Sequence, residues 1–339
     1  MGEKVKETAP KKPQQKMARH DEFMKDGYFG RWYPIWIQNA MENYATIKEE
    51  FKTSNKCISS IPRPMSRPCI ITGRGPSLNK ALPLLNKWQH PIFSSASTAF
   101  ALKKYEHQPE YICAFDSLWS LYNLQLKLDQ KTTSWKGSTL LTHPNAEPKM
   151  IKAWKWNKYY YRRVFPQHEF FENTFPLMFP WIKIGIRFTG CVANNALTLA
   201  LFLGYNPIYL VGVDLGWKDD SKRAAETWTQ NKGKYELESL GPLTEEDKKT
   251  TITTVNGVRS SMSNVSFKAE LLNISKSYKN ASIVDCSDGM LDELQKDNIE
   301  NVIKKQGYIN YDMSNEKLTS NVADFHKQMK EGIYLVKQE

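Results

Sequence analysis

Short apolar runs alternate with helical patterns along most of the chain between residues 65 and 290. The apolar runs predict strands over residues 68–72, 91–94, 111–115, 138–141, 207–213 and 282–284. Apolar positions at helical spacing predict helices over residues 77–88, 98–105, 118–128, 149–154, 190–203 and 267–278. Strands that are apolar throughout and separated by helices are typical of a parallel sheet buried on both faces. We therefore predict an α/β domain over residues 65–290.

The flanking segments have different patterns. Residues 1–19 are rich in lysine and proline and predict a flexible basic tail. Residues 20–64 predict a helical lead-in and a linker, with the helical pattern interrupted at Tyr33-Pro34. Residues 291–339 predict a helical or irregular C-terminal tail.

Polar residues follow nearly every predicted strand. Parallel sheets bind ligands beyond the carboxyl ends of their strands, so these positions mark a candidate site. The principal ones are Gly73–Gly75, Ser95, Asp116, His143, Asp214 and Asp285.

The turn after the first predicted strand reads Gly73-Arg74-Gly75-Pro76-Ser77. Glycines let the backbone approach a phosphate, and proline is favoured at the first position of a helix. The N–H groups at the start of such a helix bind anions. The turn therefore predicts a phosphate-binding site that differs from both the dinucleotide fingerprint and the P-loop. A tight strand–helix turn without a ligand is the alternative.

A second candidate segment begins at Thr189-Gly190 and opens a predicted helix. Thr189 can cap this helix, and Gly190 would allow a ligand to come close. Asn194 lies within the first two turns, so its amide could reach a base or a ribose. Alternatively, the helix is simply capped and buried, and its asparagines bond to the backbone.

Asp116, Asp214 and His143 are the candidates for chemistry at the strand ends. Each aspartate could bind a divalent cation such as Mg²⁺ together with phosphate oxygens, or act as a general base. Each could instead cap the following helix. His143 is suited to proton transfer near neutral pH, although a lone histidine is more often structural.

The net charge of +11 predicts an anionic partner. Basic and aromatic residues are interleaved over Lys152–Arg163, a pattern that fits single-stranded nucleic acid, a phosphorylated donor, an acidic glycan or a solvated surface. The five scattered cysteines predict buried thiols in a reducing compartment, and no apolar run reaches the length of a membrane span. We therefore expect a cytoplasmic protein without a membrane span.

Two segments in this order resemble the MptE-like domain. The first runs from the Gly73 turn through Ser95–Phe100 to Tyr111–Asp116, and the second from Thr189 to Leu215. That domain is shared by archaeal 6-hydroxymethylpterin pyrophosphokinases and by bacterial motility accessory factors that glycosylate flagellin. The second segment is also similar to bacterial sialyltransferases.

The resemblance implies a Rossmann-like, doubly wound domain with a nucleotide donor across the strand ends. By position, it implies donor phosphates at Gly73, Gly75, Pro76 and Ser77, and a donor near Thr189 and Gly190. It implies a metal or an acceptor near Asp116 and Asp214.

Three functions remain open. The first is transfer of a sugar, such as a nonulosonic acid, from a nucleotide-activated donor to a protein or glycan, with Asp116 or His143 as base. The second is an ATP-dependent pyrophosphokinase for a pterin-like alcohol, with Mg²⁺ on Asp116 and Asp214. The third is a non-catalytic module that binds nucleotides or nucleic acid.

Overall fold

The computed structural model describes residues 29–64, 66–115, 117, 126–128, 134–165, 168–217, 228–231, 234–237, 251–253, 257–305 and 335–337. The predicted basic tail over residues 1–19 lies outside these ranges, as do Asp116 and most of the predicted helix over residues 118–128.

An eight-stranded sheet forms the centre of the molecule, and every pair of neighbouring strands in it is parallel. Its strands are, in chain order, β1 (Cys69–Thr72), β2 (Ile92–Ser95), β3 (Tyr111–Cys113), β4 (Thr139–Thr142), β5 (Lys158–Tyr160), β8 (Ile208–Val211), β13 (Ile283–Asp285) and β14 (Gln295–Lys296). The predicted Rossmann-like α/β fold with a parallel sheet is confirmed.

The remaining strands form smaller sheets. They are β6 (Arg162–Val164), β7 (Ile184–Arg187), β9 (Trp228–Asn231), β10 (Lys234–Leu237), β11 (Thr251–Thr253), β12 (Arg259–Ser261) and β15 (Leu335–Lys337). Strand β7 lies between β6 and β15, while β9 pairs with β10 and β11 with β12.

The helices cover both faces of the main sheet. They are α1 (Phe29–Thr53), α2 (Leu78–Leu85), α3 (Ala96–Lys104), α4 (Pro148–Ala153), α5 (Phe175–Met178), α6 (Val192–Leu203), α7 (Met262–Ser277) and α8 (Ile299–Lys305). A 3₁₀ turn over Ile58–Ser60 and a π-helical turn over Phe170–Thr174 complete the described helical elements.

Successive strand residues point to opposite faces, and this alternation divides the core. In β1, Ile71 belongs to a cluster with Leu199 of α6 and Leu271 of α7. Its neighbour Ile70 belongs to the opposite cluster, with apolar residues of α2, α3 and α8. Burial of both faces explains why the strand is apolar throughout.

The strand order reverses at β1. The sheet runs β14-β13-β8-β1-β2-β3-β4-β5, so the chain builds outward from β1 in one direction and later returns to β8 on its other side. The carboxyl ends of β1 and β8 therefore flank the topological switch point, where open parallel sheets bind ligands.

Several elements add to or differ from the sequence prediction. Helix α1 continues through Pro34, which lies near the helix N-terminus and removes only one backbone hydrogen bond there. Strands β5 and β6 lie where the sequence indicated a basic aromatic segment. Beyond the predicted boundary at residue 290, β14 pairs with β13, and α8 packs on α2.

Other local predictions are confirmed or extended. Gly204 ends α6 in the left-handed conformation, with a φ of 88°. All five cysteines are free thiols. Within the described ranges, no helix combines the length and hydropathy needed to cross a membrane.

Candidate functional site

The turn after β1 is held tightly against the turn after β8. The Gly73 amide donates to the Val211 carbonyl at 2.8 Å, and the Gly75 amide donates to the Gly212 carbonyl at 2.7 Å. A Cβ atom on Gly73 would lie 2.3 Å from the Gly212 oxygen, and one on Gly75 would lie 1.9 Å from Asp214 Oδ2. Glycine is therefore required at both positions because the turn after β1 packs closely against the turn after β8.

The side chain of Asp214 lies at the start of α2. Its Oδ2 accepts hydrogen bonds from the Ser77 amide at 3.2 Å and from the Ser77 hydroxyl at 2.9 Å. Its Oδ1 accepts from the Asp288 amide at 3.1 Å. Burial raises the pKa of Asp214 to about 6, against the effect of these hydrogen bonds.

This geometry bears on both the phosphate and the metal predicted here. A phosphate bound at the Ser77 amide would take the place of the Asp214 carboxylate. Mg²⁺ on Asp214 would likewise compete with three hydrogen bonds to its two oxygens, so the carboxylate as placed does not fit a metal ligand. In the described ranges, no three His, Cys, Asp or Glu side chains are grouped to hold a metal ion. Arg74 and Pro76 are half-buried beside this turn.

Ser95 ends β2 as the N-cap of α3. Its hydroxyl accepts a hydrogen bond from the Thr98 amide at 3.3 Å. The Thr98 hydroxyl lies 3.2 Å from that of Thr72, at the end of β1. These side chains form a hydroxyl network along the sheet edge, and Ser95 has a capping role in it.

The turn between β7 and α6 contains the second predicted segment. Thr189 is buried, whereas Gly190 is exposed and adopts a φ of 72°, which favours glycine. Asn194 donates from Nδ2 to the Phe267 carbonyl at 2.9 Å, so this amide holds α6 against α7. Its fully buried Oδ1 has no hydrogen-bond partner among the described residues.

A cavity of about 60 Å³ opens where this turn meets the end of β3 and helix α1. Aromatic rings form much of its wall, and the polar groups include a guanidinium, a hydroxyl and an amide. The lining residues are Trp32, Trp36, Phe115, Ser117, Arg163, Phe188, Gly190, Cys191, Val192 and Asn195. We call this space the Arg163 cavity.

Among the described residues that line the cavity, Arg163 carries a formal charge, although only 3% of its surface is exposed. Its guanidinium carbon lies 3.9 Å from the ring centroid of Phe188 and 4.8 Å from that of Trp36. Its Nη1 donates to the Phe115 carbonyl at 3.4 Å. Cation–π contacts therefore hold the arginine in place beside the cavity.

His143 lies behind the cavity wall and is fully buried. Its Nε2 is 3.3 Å from the Phe115 carbonyl oxygen, and its ring centroid is 6.2 Å from that of Phe115, a lining residue. Burial lowers the pKa of His143 well below 6.5, and the charge of Arg163 lowers it further. His143 is therefore neutral near pH 7. The companion candidate, Asp116, lies outside the described residues.

The basic aromatic segment Lys152–Arg163 is largely core. Trp154, Tyr160, Tyr161 and both arginines are buried, which removes most of the expected stacking surface for nucleic acid. Lys158 is also buried and pairs with Glu50 at 2.7 Å. Lys152 and Lys155 are exposed, so the segment is a partly buried aromatic set with two solvated lysines.

The sequence pattern did not predict the role of α1 in the site. Trp32 and Trp36 line the cavity, whereas the sequence predicted only a helical lead-in over residues 20–64. Arg163 was noted only as one end of the basic segment. A pair of arginines within an aromatic run was the available signal, since buried cations need aromatic or polar surroundings.

The comparisons with known proteins bear on the family and the fold of this chain. A family model described as "6-hydroxymethylpterin diphosphokinase MptE-like" matches residues 38–220, more than half of the 339 residues. A search of curated proteins gave no match.

Two solved structures are similar to this chain. A MAf glycosyltransferase from Magnetospirillum magneticum AMB-1 shares 18% identity with a TM-score of 0.50, over 79% of this chain and 38% of that one. This chain thus corresponds to about two fifths of that protein, and the likeness shows a common fold. The sialyltransferase CstII from Campylobacter jejuni shares 16% identity with a TM-score of 0.27, over 68% of this chain and 84% of that one.

Proposed function

We propose that this chain, which belongs to the MptE-like family, is a nucleotide-dependent transferase that takes a sugar from a nucleotide-activated donor. The acceptor in this proposal is a protein or a glycan. The sugar would be carried on a nucleotide phosphate, as in the nonulosonic acid donors considered from the sequence.

The observation that carries the proposal is the position of the Arg163 cavity. It lies at the carboxyl edge of a parallel sheet, between the end of β3 and the β7–α6 turn. This edge is where α/β folds bind nucleotides. The cavity combines aromatic walls with a few polar groups, which is the usual composition of a small-molecule site.

The predicted site residues take proposed roles around this edge. Thr189 and Gly190 would lie beside the donor, and Asp116 would act as the base that accepts the proton of the acceptor hydroxyl. His143 is a second candidate base because it is neutral near pH 7, but it would need a path through the wall formed by Phe115. In this proposal Asp214 has a structural role, because its hydrogen bonds with Ser77 and Asp288 hold the turn after β8 in place.

A thermal-shift series with nucleotides and nucleotide sugars tests the proposal. Binding of a cytidine or uridine nucleotide sugar should raise Tm without added Mg²⁺. Release of the free nucleotide in the presence of an acceptor would then demonstrate transfer. A response to ATP with Mg²⁺ and to no nucleotide sugar would reject it.

The family description favours a second candidate, a diphosphokinase for a pterin-like alcohol. Phosphoryl transfer depends chiefly on positioning and charge neutralisation, so it would not require a buried histidine as base. The hydrogen bonds already made by Asp214 count against its predicted Mg²⁺. Formation of AMP from ATP with a hydroxymethylpterin would support this candidate. Its absence with a series of pterins would reject it.

A further inference from the structure

We propose that Asp214 is a proton-sensitive latch that fastens together the turns after β1, β8 and β13. The latch consists of Asp214 and its partners Ser77, Asp288 and Met290. It opens as a unit while the strands of the main sheet stay paired, and it tightens in acid. The inference concerns the chain without a substrate, so it goes beyond the proposed transferase function and does not depend on it.

The three turns meet at Asp214. Its Oδ2 accepts hydrogen bonds from the amide and the hydroxyl of Ser77, which lies in the turn after β1. Its Oδ1 accepts from the Asp288 amide, and its backbone carbonyl accepts from the Met290 amide at 2.9 Å, both in the segment after β13. Only 3% of the surface of Asp214 is exposed. One buried residue of the β8 turn therefore bonds to both neighbouring turns.

The latch lies beyond the ends of the paired strands. These strands end at Thr72, Val211 and Asp285. Past these ends, isolated hydrogen bonds join the turns, such as the one from the Val213 amide to the Ser287 hydroxyl at 2.9 Å. Turns at the edge of a sheet open at a lower free energy than its paired core strands. Opening of the latch therefore does not require the strands to separate.

The Ser77 hydroxyl lets the latch stay bonded in both protonation states of Asp214. The amides of Ser77 and Asp288 can only donate, so they suit an ionised carboxylate. A hydroxyl can donate or accept. The Ser77 hydroxyl, 2.9 Å from Oδ2, can therefore rotate and accept the proton of a neutral carboxyl. The geometry thus has a place for the proton inside the closed latch.

The surroundings of the carboxyl favour its neutral form. Burial, and to a smaller extent the negative charge of Asp288, raises the pKa of Asp214 to about 6, against the effect of the hydrogen bonds. At the surface, Lys80 of α2 pairs with Asp288 at 2.6 Å. Other charged side chains on the described elements around the latch are Arg74, Arg259 and the Asp285–Lys296 ion pair. In the open latch the carboxyl is solvated and its pKa is near 3.9, so closure is favoured most below pH 3.9 and weakens as the pH rises through 6.

Amide hydrogen exchange of the full chain, resolved by residue at pH 7 and pH 5, tests the latch. The amides of Ser77, Asp288 and Met290 should share one opening constant. They should exchange faster than the Tyr161 amide, which bonds to the Thr142 carbonyl at 3.1 Å in another part of the sheet. After correction for the intrinsic pH dependence of exchange, the opening constant of the latch should fall about 10-fold from pH 7 to pH 5.

Asp214→Asn removes the group that binds the proton and keeps the size of the side chain. Its NH₂ group would face one of the donors that the carboxylate accepts from, so at pH 5 the three amides should exchange about 10-fold faster than in the wild type. The difference between pH 7 and pH 5 should disappear. Glu110→Gln is the matched control, because burial also raises the pKa of Glu110, which accepts from the Ile92 amide at 2.8 Å outside the latch. It should leave the exchange of the latch amides unchanged at both pH values.

Ser77→Ala decides the matter if Asp214→Asn does not fold. It removes the hydroxyl and keeps the carboxyl, so the latch should open about 10-fold more readily at pH 5 and at pH 7 alike. The latch is rejected if the three amides exchange only at the rate of the Tyr161 amide, or if Asp214→Asn retains the pH response. It is also rejected if Ser77→Ala exchanges as the wild type does. Because no nucleotide is present, its rejection would leave the proposed function standing, and a failure to bind nucleotide sugars would leave the latch standing.

Discussion

The Asp214 carboxylate accepts hydrogen bonds from both the amide and the hydroxyl of Ser77, a residue 137 positions earlier in the chain. Through these bonds, the turn after β8 supplies the anion for the start of α2. The phosphate-like site expected from the glycine turn is thus filled from within the protein.

Replacement of Asp214 by Asn should change how stability depends on pH. The folded pKa of about 6 lies above the unfolded value near 3.9, so protonation of this carboxyl stabilises the fold. That contribution is fully present below pH 3.9 and is lost as the pH rises through 6. Relative to Asp214→Asn, the wild type should lose about 2 kcal/mol of unfolding free energy between pH 4 and pH 7. Urea unfolding at intervals of pH measures the difference, and parallel curves would contradict the raised pKa.

Replacement of His143 by Gln should produce the opposite dependence. Burial depresses the folded pKa of His143 below 6.5, so its neutral form stabilises the fold above that pH. As the pH falls, the unfolded chain takes up a proton that the folded chain does not. The wild type should therefore lose about 1.4 kcal/mol per pH unit below 6.5 relative to His143→Gln. A double variant that combines His143→Gln with Asp214→Asn should lack both of these pH dependences of the unfolding free energy. Titration of His143 near pH 6.5 in the folded protein would refute the prediction.

Alanine at Gly75 should destabilise the protein severely. The added Cβ would lie 1.9 Å from Asp214 Oδ2, so the two turns would have to separate, at a cost of about 3 kcal/mol. Gly257→Ala is the control, since this glycine has a positive φ but no atom within 4 Å of the added Cβ. Its cost should be about 1 kcal/mol, from backbone strain alone. Chemical denaturation measures the loss of unfolding free energy in each variant. Equal losses would mean that the crowding at Gly75 is relieved at little energetic cost.

Replacement of Lys296 by Met should weaken the β13–β14 edge of the main sheet. Lys296 Nζ lies 2.5 Å from Oδ2 of Asp285, whose side chain is fully buried. Loss of this partner would leave a buried carboxylate uncompensated, at a cost of about 2 kcal/mol. Lys304→Met removes an exposed ion pair with Glu300 and should cost about 0.5 kcal/mol or less. A loss no larger than that control would indicate that the ion pair with Asp285 contributes little to stability.

The sequence predicted the sheet well because burial on both faces makes strands such as Cys69–Thr72 apolar throughout. It also predicted the end of α6, since Gly204 provides a left-handed cap. Strands β5 and β6 were missed because Lys158, Arg162 and Arg163 are charged, and charge normally indicates a surface. Only tertiary contacts with Glu50, the Ile182 carbonyl and aromatic rings make their burial possible.

The candidate site was predicted less completely for a similar reason. The glycine turn, the β7–α6 turn and the strand-end polar residues were identified, because each is a local feature. Asp214, which bonds to Ser77 at the glycine turn, is distant from that turn in the chain. Helix α1, which brings Trp32 and Trp36 to the cavity, is likewise distant in the chain from the other lining residues. No local pattern specifies such contacts.

The reversal of strand order at β1 has a consequence for synthesis on the ribosome. Strand β1 pairs with β2 on one side soon after both emerge, but its other neighbour, β8, begins only at Ile208. Until then, the backbone N–H and C=O groups along that side of β1 have no strand to pair with, and the flanking residues are apolar. Nascent chains arrested before residue 208 should therefore be prone to edge-to-edge aggregation and should bind chaperones, and those extended past β8 should not.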